Sequence, residues 1–439
     1  MKYNFDERIE RRGTHCVKWD ERPATVPTAA TTPAAAIVPT AATIPAAATV
    51  STAATIPAAS PAGLIPLWVA DMDFAVAPAI QKAIRQRAEH PVFAYTLVED
   101  DYYEAVISWF QRRHQWTIQR EHILYTTGVV PGISCVIKAL TLPGEKVLIL
   151  SPDYNCFFSS IKNNGCEVSE SVLRFNNNNA GDTNQQPVAG RFEVDWQDFE
   201  ERCADEKTTA FLLCNPHNPT GRVWSREELQ RMSDICHQHQ VRIISDEIHG
   251  ELMMPGNTFC PMGIVDADAI ILNSPSKSFN TAGLQIANII CQDPATRRRI
   301  DRAININEVC DVNPFAPEAL KAAYNESEDW IDELNKYLWG NYTALCDFVA
   351  QHLPQWKVMP LEGTYLVWID VTARLECDAC CNSVATYCEE LKQEAKVWLN
   401  PGTMYGSESG KGYVRLNLAC PRSLLLEALN RIKNYETKK

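Results

Sequence analysis

Several features that would place a chain in a familiar class are missing from this sequence of 439 residues. It has no uninterrupted run of about 18 apolar residues, the length that a membrane-spanning helix requires. Its first eight residues, Met1 to Arg8, are mostly polar and contain no apolar core of the kind found in secretory signal peptides. We therefore expect a protein that does not span a membrane, is not secreted and is located in the cytoplasm.

Positive charge is also scarce. The chain has 41 Lys and Arg against 54 Asp and Glu, which gives a formal net charge of −13. We find no basic patch with interleaved aromatic residues, the pattern that proteins use to contact phosphate backbones and bases. Nucleic acid is therefore not expected as a partner.

The 16 cysteines do not form a metal-binding pattern. Cys214 and Cys291 lie in apolar runs, where cysteine behaves as a small buried hydrophobic residue. Cys377-x-x-Cys380 could supply half of a zinc site, but no second pair has a suitable spacing. We expect free thiols in a reducing compartment, and no bound metal.

Residues 24–62 differ from the rest of the chain, because they contain only Ala, Thr, Pro, Val, Ile and Ser. The segment repeats every twelve residues, with proline at the same phase in each repeat. Proline at this density disfavours both helices and sheets. We expect a disordered, extended insertion. Its role is left open between a tolerated low-complexity expansion and a recognition segment.

The remaining sequence alternates helical patterns with short apolar runs. One predicted helix begins at Ser225 with a capping box, because Glu228 follows three residues later. Alternation of this kind predicts an α/β fold with a mostly parallel, doubly wound sheet, followed by a smaller α+β domain. The expected divisions are an N-terminal segment of residues 1–84, a large domain of residues 85–316 and a small C-terminal domain of residues 317–439. The predicted buried strands begin near Val147, Phe211, Val241, Ala269 and Ala287.

Polar motifs directly follow three of these strands. Ligands of doubly wound sheets bind at the carboxyl ends of the strands, so these motifs are candidate binding loops. A fourth candidate, Arg415, lies in a predicted strand of the small domain. The three motifs are Asn215-Pro-His-Asn-Pro-Thr-Gly221, Ser245-Asp-Glu-Ile-His249 and Ser274-Pro-Ser-Lys-Ser-Phe-Asn280.

In this order, the motifs resemble those of the class I/II enzymes of fold type I that use pyridoxal 5'-phosphate (PLP). More closely, the chain resembles their cystathionine β-lyase (C–S lyase) branch, known as MalY/PatB-like. The resemblance covers nearly all of the chain outside residues 24–62. Each motif is weak alone, but four in the right order are specific. The stretches that resemble this branch are Leu67-Trp-Val-Ala-Asp-Met-Asp-Phe74, Asn215-Pro-His-Asn-Pro-Thr-Gly-Arg-Val-Trp224, Ser274-Pro-Ser-Lys-Ser-Phe-Asn280 and Tyr413-Val-Arg-Leu-Asn-Leu-Ala-Cys-Pro-Arg422.

The resemblance implies PLP as cofactor and assigns roles to matching residues. Lys277 is the expected Schiff-base lysine, which would also move the proton at the substrate Cα. Asp246 would keep the pyridine nitrogen protonated by stabilising its charged form. Asn218 would donate a hydrogen bond to the phenolic oxygen of the cofactor, and Tyr154 would stack on its ring.

Further positions match the family contacts to the phosphate and to the substrate. Arg415 would bind the substrate α-carboxylate, for which its planar fork is suited. Tyr95 would reach the phosphate in the neighbouring subunit of a homodimer. The other expected phosphate contacts are the helix-opening residues Gly128, Val129 and Val130, through their backbone N–H groups, and the hydroxyls of Ser274 and Ser276.

Two positions depart from the aminotransferase pattern. His249 stands where many aminotransferases have a tyrosine that contacts the cofactor. It could contact the cofactor or be a packed, hydrogen-bonded residue. Gln285 stands eight residues after Lys277, where aminotransferases often have a phosphate-binding arginine. Both departures are also similar to the C–S lyase branch.

The resemblance therefore implies a PLP-dependent carbon–sulfur β-lyase. It would convert cystathionine, cystine or another S-substituted cysteine to a thiol, pyruvate and ammonia. An aminotransferase that uses the same Lys277 and Arg415 is the first alternative. A regulatory or binding protein on this scaffold is the second, although the intact Lys277 and Asp246 argue against the loss of catalysis.

Overall fold

The computed structural model describes residues 2–20, 63–177, 186–377 and 383–439. The Ala/Thr/Pro repeat of residues 24–62, which we expected to be disordered, lies outside the described residues. Cys380, the second residue of the possible zinc half-site, lies outside them as well. Within the ranges described, no helix combines the length and apolar character needed to cross a membrane.

Fifteen α-helices and fifteen strands are assigned within the described ranges. The helices are α1 (Val17–Asp20), α2 (Pro78–Glu89), α3 (Asp100–His114), α4 (Val129–Leu140), α5 (Asn155–Asn163), α6 (Trp196–Cys203), α7 (Arg226–Gln238), α8 (Met262–Val265), α9 (Pro275–Ser278), α10 (Pro294–Ile306), α11 (Ala316–Glu326), α12 (Glu328–His352), α13 (Thr372–Glu376), α14 (Val384–Glu390) and α15 (Arg422–Glu436). The strands are β1 (Ile65–Pro66), β2 (Ile123–Thr126), β3 (Lys146–Ser151), β4 (Glu167–Val172), β5 (Arg174–Asn176), β6 (Arg191–Glu193), β7 (Thr208–Cys214), β8 (Arg242–Asp246), β9 (Ile270–Asn273), β10 (Ala287–Ile290), β11 (Lys357–Val358), β12 (Leu366–Asp370), β13 (Val397–Trp398), β14 (Asn400–Pro401) and β15 (Tyr413–Asn417).

A seven-stranded sheet organises the larger part of the fold. Its strand order is β2–β10–β9–β8–β7–β3–β4. Strands β4, β3, β7, β8 and β9 run parallel to one another. Strand β10 runs antiparallel to both of its neighbours, β9 and β2. The predicted α/β fold with a mostly parallel sheet is therefore confirmed.

Both faces of this sheet are covered. Ile149 and Leu212 pack with residues of α4, α5 and α10 on one face. Their chain neighbours Leu148 and Leu213 belong to the larger core on the other face. Successive side chains of a strand point to opposite faces, so burial of both faces requires uninterrupted apolar runs. This explains why the central strands could be recognised in the sequence.

The strand predicted at Ala287 forms as β10, but it runs against its neighbour β9. Between the two strands lie only the four-residue helix α9 and a three-residue 3-10 helix, Ala282–Leu284. A parallel connection usually carries the chain back along the sheet in an α-helix. Neither of these two short helices forms such a crossover, and the chain reverses direction instead.

A second sheet contains β11, β12, β15 and β14 in that order, and all of its pairs are antiparallel. It places Arg415 in the interior strand β15. The short strand β1 pairs in parallel with β13. The segment that follows β1 is thereby attached to the C-terminal part of the chain, close to the second sheet.

The topology brings the predicted binding loops together. Strands β2, β3, β7, β8 and β9 share one direction, so their carboxyl ends lie at one edge of the sheet. The candidate residues at or shortly beyond these ends are Gly128, Tyr154, Asn218, Asp246 and Ser274.

Candidate active site

Lys277 lies in α9, shortly after β9 ends. Its Nζ donates a hydrogen bond to the carbonyl oxygen of Ala70 at 2.7 Å. Burial lowers the pKa of Lys277, the Asp71 carboxylate opposes this change, and the Arg415 guanidinium adds to it. A lower pKa leaves more of the amine unprotonated near neutral pH, the form that acts as nucleophile and base.

Asp246 is the last residue of β8, and only 3 % of it is exposed. One carboxylate oxygen accepts the backbone N–H of Ile248 at 3.1 Å. Burial raises the pKa of Asp246 to about 7, although the Ile248 hydrogen bond and the charge of Lys277 act in the opposite direction. A buried carboxylate in this position is stabilised by a cation that binds next to it.

Asn218 and Arg415 are brought into direct contact from opposite sheets. The Arg415 Nη1 donates to the Asn218 Oδ1 at 3.1 Å. The Arg415 Nη2 donates to the Trp68 carbonyl at 2.8 Å, and its guanidinium lies 4.6 Å from the centre of the Tyr405 ring. The buried Arg415 Nε has no hydrogen-bond partner among the described residues. The guanidinium is thus held in place while its Nε–H remains unpaired.

His249 is buried in the turn after β8. Its Nδ1 has no partner within the described part of the chain, and its ring lies at 80° to that of Tyr365, with 5.9 Å between the ring centres. Burial, together with the positive charges of Lys277 and Arg415, lowers the pKa of His249 to about 3. The imidazole is therefore neutral near pH 7, with an unpaired nitrogen at the site.

Tyr154 stands at the amino end of α5, directly beyond β3. Burial raises the pKa of its phenol well above the usual value, and the Cys156 side chain contributes a hydrogen bond. Cys156 also interacts electrostatically with Lys277 and Asp246, so it lies at the same site. Sequence reasoning did not single out Cys156.

The residues predicted to bind phosphate differ in availability. Gly128 precedes α4, and no side chain caps this helix, so the first N–H groups, including those of Val129 and Val130, remain open to an anion. The Ser274 hydroxyl donates to the Ile286 carbonyl at 2.6 Å and lies 2.6 Å from the Ser276 hydroxyl. Ser274 also accepts the Ser276 N–H, which makes it the cap of α9. Ser274 is therefore engaged within the protein.

Tyr95 and Gln285 lie outside this cluster of side chains. Tyr95 is 94 % exposed, so its ring is not in the cleft of its own chain. Gln285 follows the 3-10 helix Ala282–Leu284 and adopts a left-handed backbone conformation with φ of 53°. Neither residue forms part of the cluster around Lys277.

Sequence reasoning missed the function of residues 68–74, which we call the strap. Its backbone carbonyls accept hydrogen bonds from both parts of the fold: Trp68 from Arg415 of β15, and Ala70 from Lys277 of α9 at 2.7 Å and from the Tyr365 hydroxyl at 2.9 Å. The strap was noted only for its resemblance to the C–S lyase branch.

Asn417 is a second contact that the sequence could have indicated. Its side-chain amide donates to the carbonyls of Val69 and Asp71 at 2.5 and 2.6 Å. Asn417 follows Arg415 by two positions in β15, so the two side chains share one face of the strand. The two-residue spacing from Arg415 could therefore have indicated Asn417 as a residue of the site.

Comparison with known proteins gives consistent matches. The chain matches the family model Aminotransferase class I and II over residues 62–432. It is 34% identical to cystathionine beta-lyase PatB of Bacillus subtilis (strain 168) over 434 residues, which cover 98% of this chain and 99% of that protein. It is 31% identical to Protein MalY of Escherichia coli (strain K12) over 426 residues, 96% of each chain. The PLP-bound C–S lyase from Staphylococcus hominis has a TM-score of 0.81 and 29% identity, with 98% of each chain covered.

Proposed function

This chain belongs to the aminotransferase class I and II family, and we propose that it is a PLP-dependent carbon–sulfur β-lyase. Its substrates are S-substituted cysteines such as cystathionine or cystine, and its products are a thiol, pyruvate and ammonia. One observation supports the proposal most strongly. Lys277, Asp246 and Arg415 converge in a chain that is similar along nearly its whole length to a cystathionine β-lyase.

The residues of the cleft fit PLP. The buried Asp246 carboxylate is poorly stabilised without a cation, as its raised pKa indicates, and a protonated pyridine nitrogen would supply one. The uncapped amino end of α4 offers N–H donors suited to a phosphate dianion. The unpaired Nδ1 of His249 supplies a further polar contact. When bound, PLP withdraws electrons from the substrate Cα.

Arg415 binds the substrate α-carboxylate in this proposal. A guanidinium presents several N–H donors in a fixed plane, which matches the two oxygens of a carboxylate. Asn218 and Trp68 fix that plane from two directions, and the Arg415 Nε remains free to donate. The substrate would therefore be oriented before its Cα proton is removed.

Lys277 would hold the cofactor and, once released from it, would take the proton from the substrate Cα. Burial lowers the pKa of Lys277, which favours the basic form of its amine. The Ala70 carbonyl, 2.7 Å from Nζ, accepts a hydrogen bond from that amine and directs it. Proton removal next to a carbon–sulfur bond allows the thiolate to leave from Cβ.

We also propose that the enzyme is a cytoplasmic homodimer. The exposed Tyr95 supports this, because a tyrosine outside its own cleft is available to the site of a second copy. No disulfide joins two cysteines within the described ranges, which suits a reducing compartment. The two sheets support a large unit of residues 85–316 and a small unit of residues 317–439.

Incubation of the purified protein with PLP and L-cystathionine, without added keto acid, tests the reaction type. We expect sustained release of pyruvate, ammonia and thiol in equal amounts. Lys277→Ala should abolish it, whereas Lys162→Ala, a change at an exposed lysine of α5, should not. Sustained amino transfer to 2-oxoglutarate, with no pyruvate from any S-substituted cysteine, would instead establish an aminotransferase.

A further inference from the structure

The strap is held on a second side by the N-terminal arm, residues 2–20. Arg11 contacts two strap carboxylates: its Nη2 lies 2.6 Å from an Asp71 oxygen, and its Nη1 lies 2.6 Å from an Asp73 oxygen. The Lys18 Nζ lies 2.7 Å from the other Asp73 oxygen and 3.3 Å from Asp71. The Trp19 indole N–H also donates to Asp73, at 2.7 Å. Two cations of the arm therefore meet two anions of the strap.

These charges are largely removed from solvent. The side chains of Lys18 and Asp73 are 1% and 4% exposed. Burial alone would raise the pKa of Asp73, but Lys18, Trp19 and Arg11 outweigh it and keep the pKa below the usual value. A buried ion pair contributes little to stability by itself, and such pairs often specify one arrangement of the chain. Here the arrangement is the position of the strap.

The strap connects these charges to the reacting amine. Ala70, whose carbonyl accepts the Lys277 Nζ, directly precedes Asp71. Asp71 is the charged group with the strongest influence on Lys277, and it favours the protonated amine.

Other groups face Lys277 from different elements. Asp246 and His249 do so from β8 and the turn after it, Cys156 from α5, Arg415 from β15, and Tyr365 from the residue before β12. His249 is neutral, because burial lowers its pKa to about 3. Of the groups that influence Lys277, Asp71 is the one that directly contacts cations of the N-terminal arm.

We propose that Arg11 and Lys18 are positioning residues for the reaction. By holding Asp71 and Asp73, they fix the strap carbonyls against Lys277 and Arg415, and they offset part of the negative charge that Lys277 meets. The inference rests on the proposed function, because it takes Lys277 as the lysine that bonds PLP.

Two substitutions with opposite expected effects test this inference. The absorbance band of the lysine-bound cofactor reports the protonation of the linking nitrogen, and its titration with pH gives a midpoint. Arg11→Gln leaves Asp71 less compensated, which stabilises the protonated form, so the midpoint should rise by roughly half a pH unit. Asp71→Asn removes the negative charge, so the midpoint should fall by a similar amount. Arg8 also lies in the arm, but it pairs with Glu427 outside the strap. Arg8→Gln should therefore leave the midpoint unchanged.

The possible outcomes separate the two proposals. If the wild-type protein shows no titratable band that depends on Lys277, the proposed function fails and the inference fails with it. A wild-type band whose midpoint is the same in Arg11→Gln and Asp71→Asn overturns the inference alone. Shifts in the same direction would show only a loosened strap and would also overturn it. If Arg11→Gln does not fold, Asp71→Asn decides, because this side chain is 19% exposed and its replacement leaves the buried Lys18–Asp73 pair intact.

Discussion

Asp246→Asn should stabilise the cofactor-free protein while it destroys the activity of the enzyme. Asp246 is buried at the end of β8, and burial raises the pKa of its carboxyl to about 7 from an ordinary value of 3.8. The fold therefore disfavours the ionised carboxylate, and a cation bound in the cleft relieves this cost. Asparagine keeps the size of the side chain and removes the charge.

The sign of the effect on stability follows from the direction of the shift. A carboxyl whose pKa is higher in the folded than in the unfolded state releases its proton more readily on unfolding. Its ionisation therefore lowers the free energy of unfolding as the pH rises from about 4 to about 7. With the two values above, the cost is roughly 1.7 kcal/mol at pH 5 and roughly 4 kcal/mol at pH 8. The free energy of unfolding of Asp246→Asn, relative to that of the wild type, should therefore be about 2.5 kcal/mol higher at pH 8 than at pH 5.

Urea unfolding of cofactor-free protein at pH 5 and pH 8 measures this difference. The protein concentration must be the same throughout, because unfolding of a dimer depends on it. Asp347→Asn on the surface of α12 is the matched control, since an exposed carboxylate is hydrated in both states. Other buried carboxyls with raised pKa values, such as Glu247 and Asp153, are present in both proteins, so most of their contribution cancels.

A gain that is the same at both pH values, or a loss of stability at pH 8, would refute the reasoning. In the enzyme with PLP, the same substitution should be unfavourable, because the cation beside Asp246 would lose its partner. Loss of one partner of a buried ion pair costs about 3–5 kcal/mol, so turnover of cystathionine by Asp246→Asn should fall at least about 100-fold. Wild-type turnover in this variant would exclude Asp246 as the partner of the pyridine nitrogen.

Three further substitutions test the site and the packing around it. Arg415→Ala should raise KM for cystathionine roughly 100-fold and change kcat much less, because the carboxylate is held in both the ground and the transition state; an unchanged KM would remove Arg415 from substrate binding. Lys18→Met should lower the free energy of unfolding by about 3 kcal/mol in urea, because the buried Asp73 loses one of its two cations and keeps only Arg11; an unchanged urea midpoint would show that the Lys18–Asp73 pair is dispensable. Gly263→Ala should lower the melting temperature by the equivalent of about 1–3 kcal/mol, because a Cβ there overlaps the ring of Trp116; an unaltered melting curve would mean that the ring can move aside.

Local sequence was sufficient for the central strands and for the loops at their ends. The part of β7 from Ala210 to Cys214 is apolar throughout because both faces of the sheet are covered, and this pattern is visible without a structure. The capping box at Ser225 formed as predicted, with Glu228 as its second member. Lys277 and Asp246 were found because each lies at a strand end, within a few residues of the apolar run that positions it. The role of each remains a prediction.

The direction of β10 was not available from the same pattern. A mostly apolar run of four residues is equally compatible with parallel and antiparallel pairing, and the outcome depends on the connection after β9, which contains no long crossover helix. The hydrogen bonds of Ser274 were not available from the motif either, and its contact with phosphate remains a prediction. Its hydroxyl caps α9 and donates to Ile286, a contact twelve residues away that motif spacing does not reveal.

Only the tertiary structure decided which distant groups meet at the site and how readily they ionise. The residues joined by the hydrogen bonds from Lys277 to Ala70 and from Arg415 to Asn218 are 207 and 197 positions apart. No periodicity specifies such pairs, because they form where two sheets and the strap pack together. The raised pKa of Asp246 and the lowered pKa of His249 arise from burial in that assembly. The amino-acid sequence determined the chemical groups and the elements that present them, while the packing of those elements determined their partners and their charge.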